Sequence, residues 1–245
     1  MTKILEVCCG SYEDVLAAYR GGAKRVELNS ALFMGGLTPS LSTLKLSKEN
    51  TDIKIISMVR PRGAGFCYSE KEFEVIKMDT ILLLENGSDG IAFGFLTDDN
   101  EIDVKRTKVL VDIIHGYNKE AVFHRAFDCV ENPFSSIEKL IDLKIDRVLT
   151  SGLYEKAFEG KEILKQLNQK YGDKIEILAG SGINASNAIS LMNYTGLSQI
   201  HSSCKSWNMD PTTTNEQVSF EYNGLKYDVV DEKLVKELED LLKEK

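Results

Sequence analysis

The sequence predicts an α/β fold: a closed (β/α)8 barrel of parallel strands with helices outside. Three observations predict it. Short β-rich runs alternate with helical patterns along the chain, which implies a parallel sheet covered by helices. There are eight such runs, and 245 residues over eight units gives about 31 each, the size of a βα unit. No Pro/Ser linker or low-complexity tract divides the chain, so residues 1–245 read as one barrel domain, a length that α/β barrels routinely occupy.

The runs are Ile4–Cys8, Arg25–Asn29, Ile53–Arg60, Gly90–Leu96, Ala121–Arg125, Arg147–Ser151, Ile175–Gly180 and Gln199–Ser203. Helix signals lie between them. Ser11-x-x-Asp14 and Ser69-x-x-Glu72 read as capping boxes, in which a hydroxyl and a carboxylate satisfy orphan amides. Asn132 caps a helix that opens on Pro133, and Phe134, Ile137, Leu140 and Ile141 then recur at helical spacing. Gly21-Gly22 and Gly87 stand where helices should stop. His115 sits at a helix end and reads as a cap. From Asp231 onward, Leu234, Val235, Leu238, Leu241 and Leu242 form the stripe of a closing helix. An open doubly wound sheet is the rival arrangement. Its dinucleotide-binding version lacks support, because the first βα turn is Cys9-Gly10-Ser11 without a Gly-x-Gly-x-x-Gly. Residues 205–229 are a long polar stretch before the closing helix, and read as a lid, an extra hairpin or a subunit contact.

Composition narrows the function. Lys plus Arg is 30 and Asp plus Glu is 38, a net charge of −8. Bulk charge therefore argues against nucleic acid and against an anionic membrane surface. No apolar run approaches the ~20 residues of a membrane helix. Glu6 interrupts the stretch that a signal peptide would need unbroken, so the expected location is cytoplasmic. Five cysteines without a secretory signal read as free thiols in a reducing compartment. No Walker loop and no Cys-x-x-Cys is present, so neither a nucleotide cofactor nor a structural zinc is expected.

Parity sorts the side chains of each strand. Arg25, Glu27 and Asn29 share one face, Val26 and Leu28 the other, so the polar trio should face the lumen. By the same rule Glu6 and Cys8 point inward and Cys9 points away. Polar residues gather at the C-terminal ends of the runs, where barrel active sites form. They include Arg60, Arg62, His124, Arg125, His201 and Ser202. A cationic mouth on an acidic protein points to an anionic ligand. A purely structural alternative pairs Arg60 and Arg125 with Glu6 and Glu27, leaving a packed scaffold.

Gly180-Ser181-Gly182 follows strand seven and precedes a helix that Asn184 could cap. Glycines there let amides approach an anion, and barrels often hold phosphate at this place. His124 and His201 can exchange protons near neutral pH or ligate a metal. No Lys ends a strand, so a Schiff-base mechanism has no candidate nucleophile.

Several stretches together resemble the CutC family, named for copper homeostasis. They are Glu6-Val7-Cys8, Gly21-Gly22-Ala23, Arg25-Val26-Glu27-Leu28, residues 35–40, Arg60-Pro61-Arg62-Gly63, Phe66-Cys67-Tyr68-Ser69, residues 123–128, residues 147–152 and Ala179-Gly180-Ser181-Gly182-Ile183. The resemblance implies a TIM-type barrel, a cytoplasmic location, a homo-oligomer (dimer or tetramer) and a copper-related role. In family members proposed to bind Cu(I), one candidate cysteine matches Cys8 and a second matches Asn29. Asn29 is a poor ligand for a soft ion, so Cys67, Met58 or His201 would have to complete the site. The expected metal ligands are Cys8, Cys67 and His201. The alternative is a lyase or isomerase for a small anionic metabolite, with or without a phosphate group. There Arg60, Arg62 and Arg125 clamp the anion, with Gly180–Gly182 and Ser202 around it, and His124 or Glu27 moves a proton.

Overall fold

A computed structural model describes residues 3–243. Eight parallel strands close into a barrel in sequence order: β1 (Ile4–Cys9), β2 (Arg25–Leu28), β3 (Lys54–Met58), β4 (Gly90–Phe93), β5 (Glu120–Phe123), β6 (Arg147–Thr150), β7 (Glu176–Ala179) and β8 (Gln199–Ser202). β8 returns to pair with β1. The helices are α1 (Tyr12–Arg20), α2 (Leu41–Asn50), α3 (Glu70–Glu85), α4 (Val104–Gly116), α5 (Pro133–Asp142), α6 (Lys161–Tyr171), α7 (Ala188–Thr195) and α8 (Glu232–Lys243). The chain has a TIM-type barrel fold, and each expected run contains or overlaps a strand.

The local signals act in varied ways. Ser69 and Glu72 form a full capping box on α3, and Asn132 caps α5 ahead of Pro133. At α1 only half the box forms. Ser11 Oγ accepts the Asp14 N–H, but the Asp14 carboxylate turns to the amides of Gly10 and Val230 instead. Asn184 folds its own turn with Ser186, and α7 begins later, after Asn187. His115 lies in the last turn of α4, where Nε2 is 2.9 Å from Asp146 Oδ2. On α8, Val235, Leu238 and Leu242 are buried, whereas Leu234 faces solvent. The helix has enough apolar side chains for a stripe wider than its contact.

Residues 205–230 form the extra hairpin, antiparallel strands β9 (Lys205–Met209) and β10 (Lys226–Val230). It is rooted by Asp14 Oδ1, which accepts the Val230 N–H at 2.7 Å. Farther out, Tyr222 stacks on Phe33 with ring centroids 4.7 Å apart.

Parity inside the barrel is as the strands require. The helix-facing side chains, such as Val7, Val26, Leu28 and Val148, belong to the main core. Ile56, Met58, Ala92 and Val122 form a smaller apolar cluster of their own. At the N-terminal end of the strands sits an ionic plug. Arg25 Nε is 2.6 Å from Glu6 Oε2 and Arg25 donates to Gln199. Arg147 reaches Glu176 at 2.8 Å, Glu120 at 2.9 Å and Glu6 at 3.7 Å. Charges this deep persist because Arg147 meets three carboxylates and Glu6 meets two guanidinium groups.

Candidate functional site

A cavity of about 470 Å³ opens at the C-terminal mouth of the barrel. Its floor is set by strand register. Cys8 is the partner of Glu27 across β1 and β2, and Glu6 is the partner of His201 across β1 and β8. Three strands thereby bring Cys8 Sγ, a Glu27 carboxylate oxygen and a His201 ring nitrogen within 4.8 Å of one another.

Each donor is oriented by a neighbour. Nδ1 of His201 is 2.9 Å from Glu6 Oε1, which leaves Nε2 on the side of Glu27, 4.0 Å from its Oε2. Asn29 Nδ2 donates to Glu27 Oε2 at 3.0 Å and approaches Cys8 Sγ at 3.6 Å. Asn29 is therefore an orienting residue between these two donors.

The protonation states follow from burial and partners. Burial alone would raise the Glu6 carboxyl, but Arg25, His201 and Arg147 outweigh it and hold it at about 2. Burial alone would lower His201. Its hydrogen bonds to Cys8 and Glu6, with the Glu27 charge, push it well above an ordinary imidazole. Burial raises Glu27. Burial also raises the Cys8 thiol, and His201 works against that rise.

The walls carry other groups. His124 is buried at the end of β5 and held at about 3, by burial first and then by the Arg60 charge. His124 is therefore neutral across the physiological pH range. Its ring fits because residue 94 is Gly, since a Cβ there would lie 2.6 Å from the His124 ring. Ser181 and Gly182 line the cavity with φ of +83° and +71°, a conformation costly for Ser.

Several expected partners are arranged differently. Arg60 and Arg125 do not pair with Glu6 and Glu27. Arg60 lines the cavity but gives its terminal N–H groups to the carbonyls of Met34, Gly36 and Ala64. Arg125 pairs with Asp128 at 2.7 Å and donates to Ser151. The pairs to Glu6 come from Arg25 and Arg147, because those side chains share its lumen level. Arg62 is drawn away from the mouth by Glu72 and by the carbonyls of Gly63, Gly65 and Cys67. The Gly180 N–H is used by Thr150 O, and the Ser202 hydroxyl by Ile183 O. Cys67 is exposed and lines a separate hollow with Tyr68 and Arg106, so it does not join Cys8.

The stretch read from sequence as a lid, an extra hairpin or a subunit contact is a hairpin that also reaches the cavity, and the side chains it brings there were not foreseen. Lys205, Trp207, Tyr222 and Asp228 line the cavity. Lys205 lies just past β8, with Nζ 4.8 Å from the Trp207 ring centre, so a lysine does reach this rim. No periodic signal in the polar stretch 205–229 announced that role. Phe66 was also missed. Its ring is 5.0 Å from that of His124 and 5.2 Å from the Arg60 guanidinium.

The sequence model of the CutC family matches residues 3–206. The chain belongs to the CutC family. A CutC-family protein of Treponema denticola is 43% identical over 239 residues, covering 98% of this chain and 96% of that one. The human copper homeostasis protein cutC homolog is 39% identical over 203 residues, covering 83% of this chain and 74% of its own. The crystal structure of the putative copper homeostasis protein CutC from Streptococcus agalactiae superposes with a TM-score of 0.77 at 30% identity. That match covers 82% of this chain and 98% of the other. The CutC family model stops at residue 206, near the root of the hairpin. Among the described residues, no helix is long and apolar enough to cross a membrane.

Proposed function

We propose that this CutC-family barrel handles copper, with Cu(I) as its cargo held by Cys8 Sγ and His201 Nε2 and with Glu27 as a third donor. One observation carries the reading: a thiol, an imidazole and a carboxylate within 4.8 Å of one another. The donor set fits. Thiolate and imidazole both suit copper. The Glu6 contact on His201 Nδ1 is the carboxylate–histidine arrangement that fixes a metal-binding ring. The names of the human and Streptococcus relatives point the same way. The test is a Cu(I) competition titration. Cys8→Ser and His201→Phe should each weaken binding at least about tenfold, or ~1.4 kcal/mol, and Cys67→Ser should not. Equal affinity in all four proteins contradicts the reading. In the same account the protein works in the cytoplasm as a homodimer or tetramer, which cell fractionation and light scattering test.

A second reading is favoured by the cavity itself. At about 470 Å³ it far exceeds a single ion, and Arg60, Arg125, Ser181 and Gly182 line it. In this reading the barrel is a lyase or isomerase for a small anionic compound, with or without a phosphate group. Phosphate or sugar phosphates should then raise the melting temperature, and Arg125→Ala should abolish the rise. A flat response contradicts it.

A further inference from the structure

His124 holds a proton in a defined place. Its Nδ1 accepts the Ala126 N–H at 3.1 Å. A nitrogen that accepts is unprotonated, so in a neutral ring the proton sits on Nε2. That Nε2–H is buried and has no hydrogen-bond partner in the protein. Leaving such a donor unmet costs its desolvation without return, and native interiors generally avoid that.

The surroundings say what kind of partner it wants. His124 and Arg60 both line the mouth cavity, and the Phe66 ring lies 5.0 Å from the His124 ring and 5.2 Å from the Arg60 guanidinium. Arg60 Nε is likewise buried without a partner. Two donors and a nearby positive charge call for a group that only accepts hydrogen bonds. A hydroxyl or water could fill the place, but a carboxylate or carbonyl oxygen matches both the donors and the charge.

The ring is also held in that state. Burial and Arg60 keep it neutral down to about 3. Gly94 gives the Nδ1–Cε1 edge its room, and the Ala126 amide fixes the tautomer. A neutral N–H donor whose orientation is fixed before the ligand arrives loses little on binding.

We propose that His124 Nε2–H, beside Arg60, receives an acceptor oxygen of a small organic anion, a carboxylate or carbonyl compound, in the mouth cavity. This rests on the second reading above, the small-anion pocket, and names the chemistry of its ligand. His124 is then a specificity-determining donor and not the base.

The test uses the full chain with 15N-labelled histidine and three probes: oxalate, pyruvate and inorganic phosphate. Long-range 1H–15N spectra should show one neutral imidazole protonated at Nε2, absent in His124→Gln. Oxalate or pyruvate should bind and shift that Nε2 signal, with phosphate weaker. His124→Leu should lose at least about tenfold in affinity, and His124→Gln, which restores an N–H donor, should recover most of it. A Nδ1–H tautomer or an imidazolium at neutral pH in the signals that His124→Gln removes overturns the proposal. So does oxalate binding that leaves Nε2 unmoved, although the small-anion reading then stands. If none of the three probes binds the wild type, both fail together. If His124→Leu does not fold, the wild-type spectra decide.

Discussion

Nδ1 of His201 lies 2.9 Å from Oε1 of Glu6, and the two residues are register partners across β8 and β1. The same Glu6 carboxylate is 2.6 Å from Arg25 and 3.7 Å from Arg147. Glu6 thus joins the ionic plug at one end of the lumen to the donor cluster at the other.

Glu6→Gln should therefore be severe. It leaves two buried guanidinium groups without their shared counter-charge and removes the charge that holds His201. Breaking a buried pair of this kind costs about 3–5 kcal/mol. Urea unfolding at neutral pH checks it, and a loss below 1 kcal/mol would show that water or Glu120 and Glu176 replace the carboxylate.

The two lumen histidines should shape stability against pH in opposite senses. His124 is held at about 3, below the unfolded value near 6.5. The unfolded chain takes up a proton that the native state refuses, so this contribution is full above about pH 6.5 and is lost as pH falls towards 3. His201 is raised. Its contribution is full below about pH 6.5 and is lost as pH rises through the folded value. Glu27, also raised, opposes the His124 effect in acid, so variants are compared with wild type by difference. His124→Gln should flatten the limb between pH 6.5 and 5 by up to about 1.4 kcal/mol per pH unit. His201→Gln should flatten the alkaline limb. Chemical denaturation across pH 5–9 measures both.

Thiol reactivity should separate the five cysteines. Cys67 and Cys129 are exposed, Cys8 is partly buried, and Cys9 and Cys204 are buried. Iodoacetamide under native conditions should label Cys67 ahead of Cys8, whose thiol burial raises, and leave Cys9 and Cys204 until unfolding. Bound Cu(I) should protect Cys8 alone. Mass spectrometry reads the order, and protection of Cys67 would move the metal elsewhere.

Gly94→Ala should disturb the cavity wall without touching its floor. The added Cβ would stand 2.6 Å from the His124 ring and 2.8 Å from Ala126 Cβ. Overpacking of this size costs about 1–3 kcal/mol. The His124 15N signals should shift while Cu(I) affinity stays near wild type. Loss of Cu(I) binding would show that wall and floor are coupled.

The barrel was legible because strand and helix periodicities repeat eight times, and parity alone placed Glu6, Cys8, Glu27 and Asn29 in the lumen. Which lumen charges meet was not legible. That depends on the stagger between strands, so Arg147 from β6 reaches Glu6 while Arg60, just past the end of β3, gives its terminal N–H groups to the carbonyls of Met34, Gly36 and Ala64. Cys67 looked available because it follows Arg60 closely. Its loop is pinned outward, where Arg62 donates to the Cys67 carbonyl. The hairpin's part in the cavity rests on tertiary contacts, Asp14 with Val230 and Phe33 with Tyr222, that no local pattern encodes.

X-ray absorption at the copper edge of the Cu(I)-loaded protein tests the metal assignment most directly. The account predicts one sulfur scatterer together with the multiple-scattering signature of an imidazole, and loss of the sulfur in Cys8→Ser. A shell of two or more sulfurs with no imidazole, unchanged by Cys8→Ser, would contradict it.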